Sequence, residues 1–194
     1  MRRIEALISE DPVNLVVHLA RYNFARSLIQ SDWIGLDYGC GTGYGAALLS
    51  KNCSRIDAYD EDSKVIKRSR ANYSSLDNLT FYESIDEIKG CYDFIVSFEV
   101  IEHMTQQEAI AYLSRLRSLL KDGGMLFSST PRALPFSERS LNRQLHHVHE
   151  YDYETYKEIL MTSFRKVLVF SQNDGIISTQ NPLMAWNYVA VCLH

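Results

Sequence analysis

The chain is predicted to be an α/β protein, with a mostly parallel sheet of seven strands and helices on both faces. Two observations predict this. Short apolar runs alternate along the chain with amphipathic stretches, and the first apolar run ends in a glycine-rich turn that opens a helix. Strands separated by helices imply right-handed crossovers and so a parallel sheet. With 194 residues, 46% hydrophobic and 23% charged, the chain can bury a core without disulfide or metal staples. With no repeat or Gly/Ser linker, residues 1–194 read as a single domain.

Taken in order, residues 14–30 carry Leu15, Leu19, Tyr22 and Ala25 or Arg26 at helical spacing and form an entry helix. Residues 33–38 (WIGLDY) are the first strand, followed by the turn GCGTGYG and a helix over 43–51. Residues 55–60 form strand two, and the next helix opens with acidic residues in its first turn, where the helix dipole favours them. LTFY (79–82) and YDFIVSF (92–98) are strands three and four. Residues 105–121 are a helix with Thr105 and Glu108 as a capping box, Ala109, Leu113, Leu116 and Leu120 on its inner face, and Gly123 as its C-terminal stop.

Residues 124–130 are strand five, 152–163 a helix, 164–172 strand six and 185–194 strand seven. Between strand five and that helix, residues 131–151 form an irregular segment longer than the loops of most compact domains, which marks it as a functional lid. The four prolines, Pro12, Pro131, Pro135 and Pro182, fall at predicted loop positions.

Composition excludes several functions. Cys40, Cys53, Cys91 and Cys192 are scattered with no CxxC pair, which suggests neither a zinc site nor a disulfide framework. A formal charge of −4 argues against sequence-independent nucleic-acid binding, and the basic cluster Lys64, Lys67, Arg68 and Arg70 reads as a solvated helix face. No apolar run is long enough for a membrane span and the N-terminus lacks a secretory signal, so a cytoplasmic address is expected.

In an open parallel sheet the ligand site lies beyond the carboxyl ends of the strands, where strand order reverses. Gly39, Gly41 and Gly43 there permit close approach to the backbone, and Asp60, 21 residues past Gly39 at the end of strand two, can accept hydrogen bonds from ribose hydroxyls. A dinucleotide turn, GxGxxG, would need glycine at position 44, which is Tyr44. The turn is GxGxG preceded by Asp37, an acid able to meet an amino group, which favours S-adenosylmethionine over NAD.

DYGCGTGYG resembles the first motif of class I, Rossmann-like S-adenosylmethionine-dependent methyltransferases, and YDFIVSFEVIEHM their fourth-strand motif. HLARYNFA, LKDGGMLFSSTP, HHVHEYDYETYKEIL and FRKVLVFSQ are similar to segments of a bacterial subgroup acting on small molecules or glycans, so the resemblance covers roughly residues 15 to 192. It implies that Asp37 and the Gly39–Cys40–Gly41 and Gly43 backbone hold the methionine part and Asp60 the ribose. It places Glu61 beside the adenine edge, Glu83 and Ser84 facing the adenine, and Phe98 and Glu99 flanking the sulfonium. Arg21 or Tyr22 closes over the carboxylate, although Tyr22 equally suits core packing. S-adenosylhomocysteine would be the product.

Glu99, Glu102 and His103 are spaced i, i+3, i+4 and would share one face if helical. His103 is then a general base or substrate orienter, and of His146, His147 and His149 the match to an HVxEY pattern selects His147 to face the acceptor. Two other readings compete with this. The Glu and His side chains could simply hydrogen-bond one another or nearby backbone. They could also bind a divalent metal completed by His147, as the resemblance of EVIEHM to small-RNA 2′-O-methyltransferases would imply; the sequence favours no metal. A non-catalytic adenosyl-binding scaffold is the alternative outside enzymes.

Overall fold

A computed structural model describes residues 12–179 and 181–193, so the predicted strand end at His194 lies outside the described residues. Helix α1 (Pro12–Arg26) leads to strand β1 (Ile34–Tyr38), α2 (Tyr44–Leu49), β2 (Arg55–Tyr59), α3 (Ser63–Asn72), β3 (Leu79–Tyr82) and β4 (Tyr92–Phe98). Helix α4 (Gln106–Leu119), β5 (Leu120–Pro131), α5 (Leu141–His146), α6 (Tyr153–Met161), β6 (Lys166–Asn173), β7 (Ile176–Ser178) and β8 (Asn187–Leu193) follow.

One sheet runs in the order β3-β2-β1-β4-β5-β8-β6-β7. Pairings from β3 through β5 are parallel, while β8 is antiparallel to both β5 and β6. Strand β1 sits between β2 and β4, so the chain reverses direction across the sheet there and leaves a crevice at the carboxyl ends of those strands. Alternating side chains feed two cores. Phe94, Val96 and Phe98 of β4 pack with Ala25 of α1, Leu49 of α2 and Ile66 of α3, while Ile95 joins Leu113 of α4 and Leu160 of α6 on the other face.

The sheet has eight strands rather than seven. Strand β7 pairs back on β6 through the two-residue turn Asp174–Gly175, with Asp174 at φ 48°. Asp-Gly is a strong signal for such a hairpin, and Asp174, a residue type that tolerates left-handed backbone, takes the first central position. Thr105 and Glu108 do form the capping box of α4, but the helix does not stop at Gly123. It ends on extended Leu120, which already pairs with Tyr92, and Gly123 (φ 77°) lies in the irregular start of β5.

Four further expectations change. The entry helix ends at Arg26, four residues early. Pro12 opens α1 and Pro131 closes β5, rather than lying in loops. Helix α3 has no acid in its first turn; Asp62 caps it instead, accepting from the Lys64 and Val65 amides. Residues 131–151 are also more regular than expected, since they carry a 3-10 turn at Phe136–Glu138 and α5. Among the described residues, no helix is long and apolar enough to cross a membrane.

Candidate functional site

The glycine turn after β1 is pinned to the end of β2. The Gly39 and Cys40 amides donate to Tyr59 O at 2.8 and 2.9 Å, and the Gly41 amide donates to Asp60 Oδ2 at 2.8 Å. Asp60 Oδ1 accepts from the Asp62 amide at 3.0 Å, so this carboxylate braces the turn while lining the crevice. Gly39, Gly41 and Gly43 all have left-handed φ, at 78°, 52° and 76°. A side chain on Gly43 would strike the Phe81 ring at 2.7 Å, whereas one on Gly41 would point into open space. Packing therefore explains Gly43; backbone conformation beside an open cavity explains Gly41.

Asp37 is fully buried beneath this turn, with the Tyr22 hydroxyl 3.3 Å from both of its oxygens. Burial, opposed by the Tyr22 hydrogen bond and aided by the Asp60 charge, pushes its carboxyl up to about 8. A buried acid held neutral for want of a counter-charge is suited to an incoming cation. Tyr22 takes the packing role considered for it, edge-on against Phe98 at 5.0 Å, and its hydroxyl also holds Asp37.

Two cavities flank the turn and share Gly39, Glu99 and His103. The first, about 450 Å³, is lined by Tyr38, Tyr59, Asp60, Glu61, Val100 and Met104 as well. The second, about 560 Å³, is lined also by Tyr22, Cys40, Gly41, Phe98, Glu102 and His147. Their combined lining thus gathers Tyr22, Gly39, Cys40, Gly41, Asp60, Glu61, Phe98, Glu99, His103 and His147, all expected from the sequence. Glu83 and Ser84 do not line either cavity. Glu83 pairs with Arg70 at 3.5 Å, and the Ser84 hydroxyl caps the 3-10 turn that follows by accepting from the Asp86 amide.

Arg21 is also absent from the lining. It is 1% exposed, donates from Nε to Gln172 Oε1 at 2.7 Å and pairs with Glu99 Oε1 at 3.1 Å. Glu99 has a left-handed φ of 58°, unusual for a non-glycine residue, and the Ser129 hydroxyl and Arg21 hold it there. Glu99, Glu102 and His103 do not lie on one α-helical face, because the chain leaves Glu99 in this conformation and enters a 3-10 turn at Ile101–His103. Glu99 turns to Arg21, while Glu102 and His103 meet His147.

Glu102 is buried, accepts from the Thr130 hydroxyl at 3.2 Å, and is raised well above the usual carboxylate range by burial and then by the charge of Glu99. His103 Nδ1 lies 2.8 Å from His146 O, a carbonyl that can only accept, so Nδ1 carries the proton and Nε2 a lone pair. His147 Nδ1 lies 2.9 Å from Glu150 Oε1. Burial favours a raised Glu150 carboxyl, but the Leu134 amide, His147 and Arg143 outweigh it and hold the group ionised. His147 is itself lowered, by burial first and with Glu150 opposing, so it too is a neutral imidazole with its lone pair on Nε2.

Glu150 is the anchor of the segment over the site. It binds Arg139 Nε and Arg143 Nε at 3.1 and 2.8 Å, and the Val148 and His149 amides donate to Glu102 O. Sequence reasoning did not single out Glu150, Gln172 or Asn142, which also lines the second cavity. Glu150 stands three residues from His147, and that spacing was the available signal; Gln172 lies 151 residues from Arg21 and gave none.

The profile of a family described as "Methyltransferase domain" matches residues 16–165. A probable S-adenosylmethionine-dependent methyltransferase of Mycolicibacterium smegmatis is 34% identical over 106 residues, which are 53% of this chain and 39% of that protein. The mitochondrial ubiquinone biosynthesis O-methyltransferase of Mus musculus is 32% identical over 108 residues, 49% of this chain and 28% of that protein. The chain thus spans well under half the length of these curated relatives. Among solved structures, the N-methyltransferase NodS from Bradyrhizobium japonicum WM9 in complex with S-adenosylhomocysteine superposes with a TM-score of 0.70 at 18% identity, covering 95% of this chain and 89% of that one.

Proposed function

Because the chain belongs to the methyltransferase-domain family, we propose that it uses S-adenosylmethionine to methylate an oxygen or nitrogen atom of a small-molecule or glycan acceptor in the cytoplasm. The observation that carries the cofactor assignment is the buried, proton-holding Asp37 beneath an open turn of left-handed glycines. An amino-acid ammonium satisfies such a group, and a pyrophosphate does not.

In this reading Asp37 and the Gly39–Gly41 backbone hold the methionine amino group, with Tyr22 setting the carboxylate's orientation. Asp60 retains lone pairs for the ribose hydroxyls while bracing the turn, and Glu61 lies toward the base. Glu83 and Ser84 have no part in it. Arg21 acts at one remove, fixing Glu99 beside the reacting centre. When bound, the sulfonium supplies an electrophilic methyl group to an in-line nucleophile. The acceptor approaches through the second cavity, where His103 and His147 present their Nε2 atoms and the 131–151 segment excludes water.

Incubation with methyl-labelled S-adenosylmethionine and fractionated cell extract tests this. Label is expected in the small-molecule or glycan fraction. Label appearing in RNA alone, or no transfer to any fraction by protein that binds the cofactor, would refute the acceptor class or the catalytic role respectively.

A further inference from the structure

We infer that Glu150 is a positioning residue for the transfer, holding His147 to take the proton of a hydroxyl acceptor, so that the reaction is O-methylation of an alcohol or phenol. The inference rests on the reading that the second cavity receives the acceptor. It narrows the accepting atom from oxygen or nitrogen to a hydroxyl oxygen.

His103 and His147 both line that cavity, but what stands behind them differs. His103 Nδ1 donates to a neutral carbonyl, His146 O, whereas His147 Nδ1 donates to the ionised Glu150 carboxylate at 2.9 Å. A proton arriving on Nε2 turns either ring into a cation. Only on His147 does the new charge meet a fixed opposite one, in a setting too dry for water to screen it.

The carboxylate is fixed without help from His147. Its Oε1 also accepts from Arg143 Nε at 2.8 Å, and its Oε2 accepts from Arg139 Nε and the Leu134 amide, both at 3.1 Å. Those three donors already anchor the 131–151 segment, and the side chain has no exposed surface through which to turn away. The contact with His147 is thus additional to anchoring, and it sets the tautomer and orientation of the ring.

Glu102 fits the same scheme. Its buried carboxyl holds a proton, and its oxygen lies within 4.8 Å of ring nitrogens of both histidines. One proton satisfies one imidazole lone pair and leaves the other for the acceptor. With a hydroxyl bound at His147, the Glu102 proton serves His103.

In the transfer, the hydroxyl oxygen bonds to the methyl carbon, and the bond from that carbon to the sulfonium breaks with its electron pair staying on sulfur. The hydroxyl proton passes to His147 Nε2. The positive charge lost from sulfur therefore reappears on an imidazolium paired with Glu150, and leaves as a proton to solvent after the product departs. An amine that arrives deprotonated already has its lone pair, and a carboxylate carries no proton, so neither needs a base in this place.

The first test needs no acceptor. Nitrogen NMR of the ligand-free protein, with His147 assigned by signal loss in His147→Ala, should show Nδ1 protonated and Nε2 bare above neutral pH. The His147 midpoint should fall in Glu150→Gln, whose carbonyl keeps the hydrogen bond but not the charge. Arg143 and Glu150 of the 131–151 segment, Glu102 and His103 of the turn after β4, and His18 of α1 across the cavity face this ring, and only Glu150 changes in that variant. The second test treats the labelled product of the extract incubation with base and then with hydriodic acid. Label that resists base and is released as methyl iodide marks a methyl ether, the expected result. Turnover should fall roughly 10- to 100-fold in Glu150→Gln, with its pH midpoint lowered alongside the NMR midpoint. Arg139→Ala, which loosens the same segment, should keep the parent midpoint. If Glu150→Gln does not fold, the parent's tautomer and product chemistry decide. Nε2 protonated in the parent, identical responses to Glu150→Gln and Arg139→Ala, or label held as an N-methyl group or a base-labile ester would overturn the inference. S-adenosylhomocysteine affinity is measured on the same samples. Its retention beside any of those results overturns the Glu150 and hydroxyl assignment alone, whereas failure of the parent to bind it overturns the proposed function.

Discussion

Raising the pH from 6 to 8 should tighten S-adenosylhomocysteine binding, because Asp37, the carboxyl proposed to receive its ammonium group, holds a proton through most of that range. With the Asp37 midpoint at about 8, the carboxylate fraction is roughly 1% at pH 6, 9% at pH 7 and one half at pH 8. Affinity follows the product of that fraction and the protonated fraction of the ligand's amino group, so Kd should fall about eightfold between pH 6 and 7 and about threefold more by pH 8. Above this the ligand's own amino group, with a midpoint of roughly 8, deprotonates and the trend reverses. At pH 7 binding should release about 0.8 proton net, measurable by calorimetry in phosphate and Tris buffers, whose ionisation enthalpies differ. Asp37→Asn should flatten the profile. A Kd constant from pH 6 to 8, or a binding enthalpy independent of buffer, would refute the assignment. The sign for folding is opposite: a carboxyl raised in the native state contributes stability that is full below about pH 4 and lost as pH climbs toward 8. The ligand-free Tm should accordingly fall across that window, and less steeply in the Asn variant.

Gly41→Ala should cost about 1 to 2 kcal/mol from its left-handed φ, and thermal melts should show a still-folded protein that binds the cofactor poorly by calorimetry. Gly45→Ala is the contrasting case. A Cβ there meets the Tyr22 ring at 2.0 Å, so the melt should show about 1 to 3 kcal/mol or more of destabilisation. Asp60→Ala should weaken cofactor binding by about 1.5 to 3 kcal/mol in calorimetry. It should also lower the ligand-free Tm, because it frees the Gly41 amide. His147→Ala should reduce turnover with the true acceptor by roughly 10²-fold while leaving S-adenosylhomocysteine affinity almost unchanged. Equal activity below saturating acceptor would refute the lid role and leave residues 131–151 as a solvated surface segment.

Features written in local pattern were legible in the sequence. The bounds of β4 follow from the aromatic and β-branched residues of YDFIVSF, and the α4 capping box from a threonine and a glutamate three residues apart. The glycine turn with Asp37 and Asp60 was legible for a related reason, since adjacent parallel strands bring their ends together. What escaped depends on partners distant in the chain. That Arg21 would be spent on Glu99 and Gln172, or Glu83 on Arg70, is decided by packing across elements. The Glu99-to-His103 spacing misled because one left-handed residue rotates everything after it. Gly123 misled for a similar reason: strand pairing captured Leu120 before the glycine could end the helix.

The most direct measurement is calorimetric titration of the well-folded chain at pH 8 with S-adenosylhomocysteine, S-adenosylmethionine and NAD in turn. The account predicts that both adenosyl compounds bind one per chain with similar affinity and that NAD does not bind, since the turn lacks the pyrophosphate spacing and Asp37 calls for an amino group. Tight NAD binding, or no binding of either adenosyl compound, would contradict it.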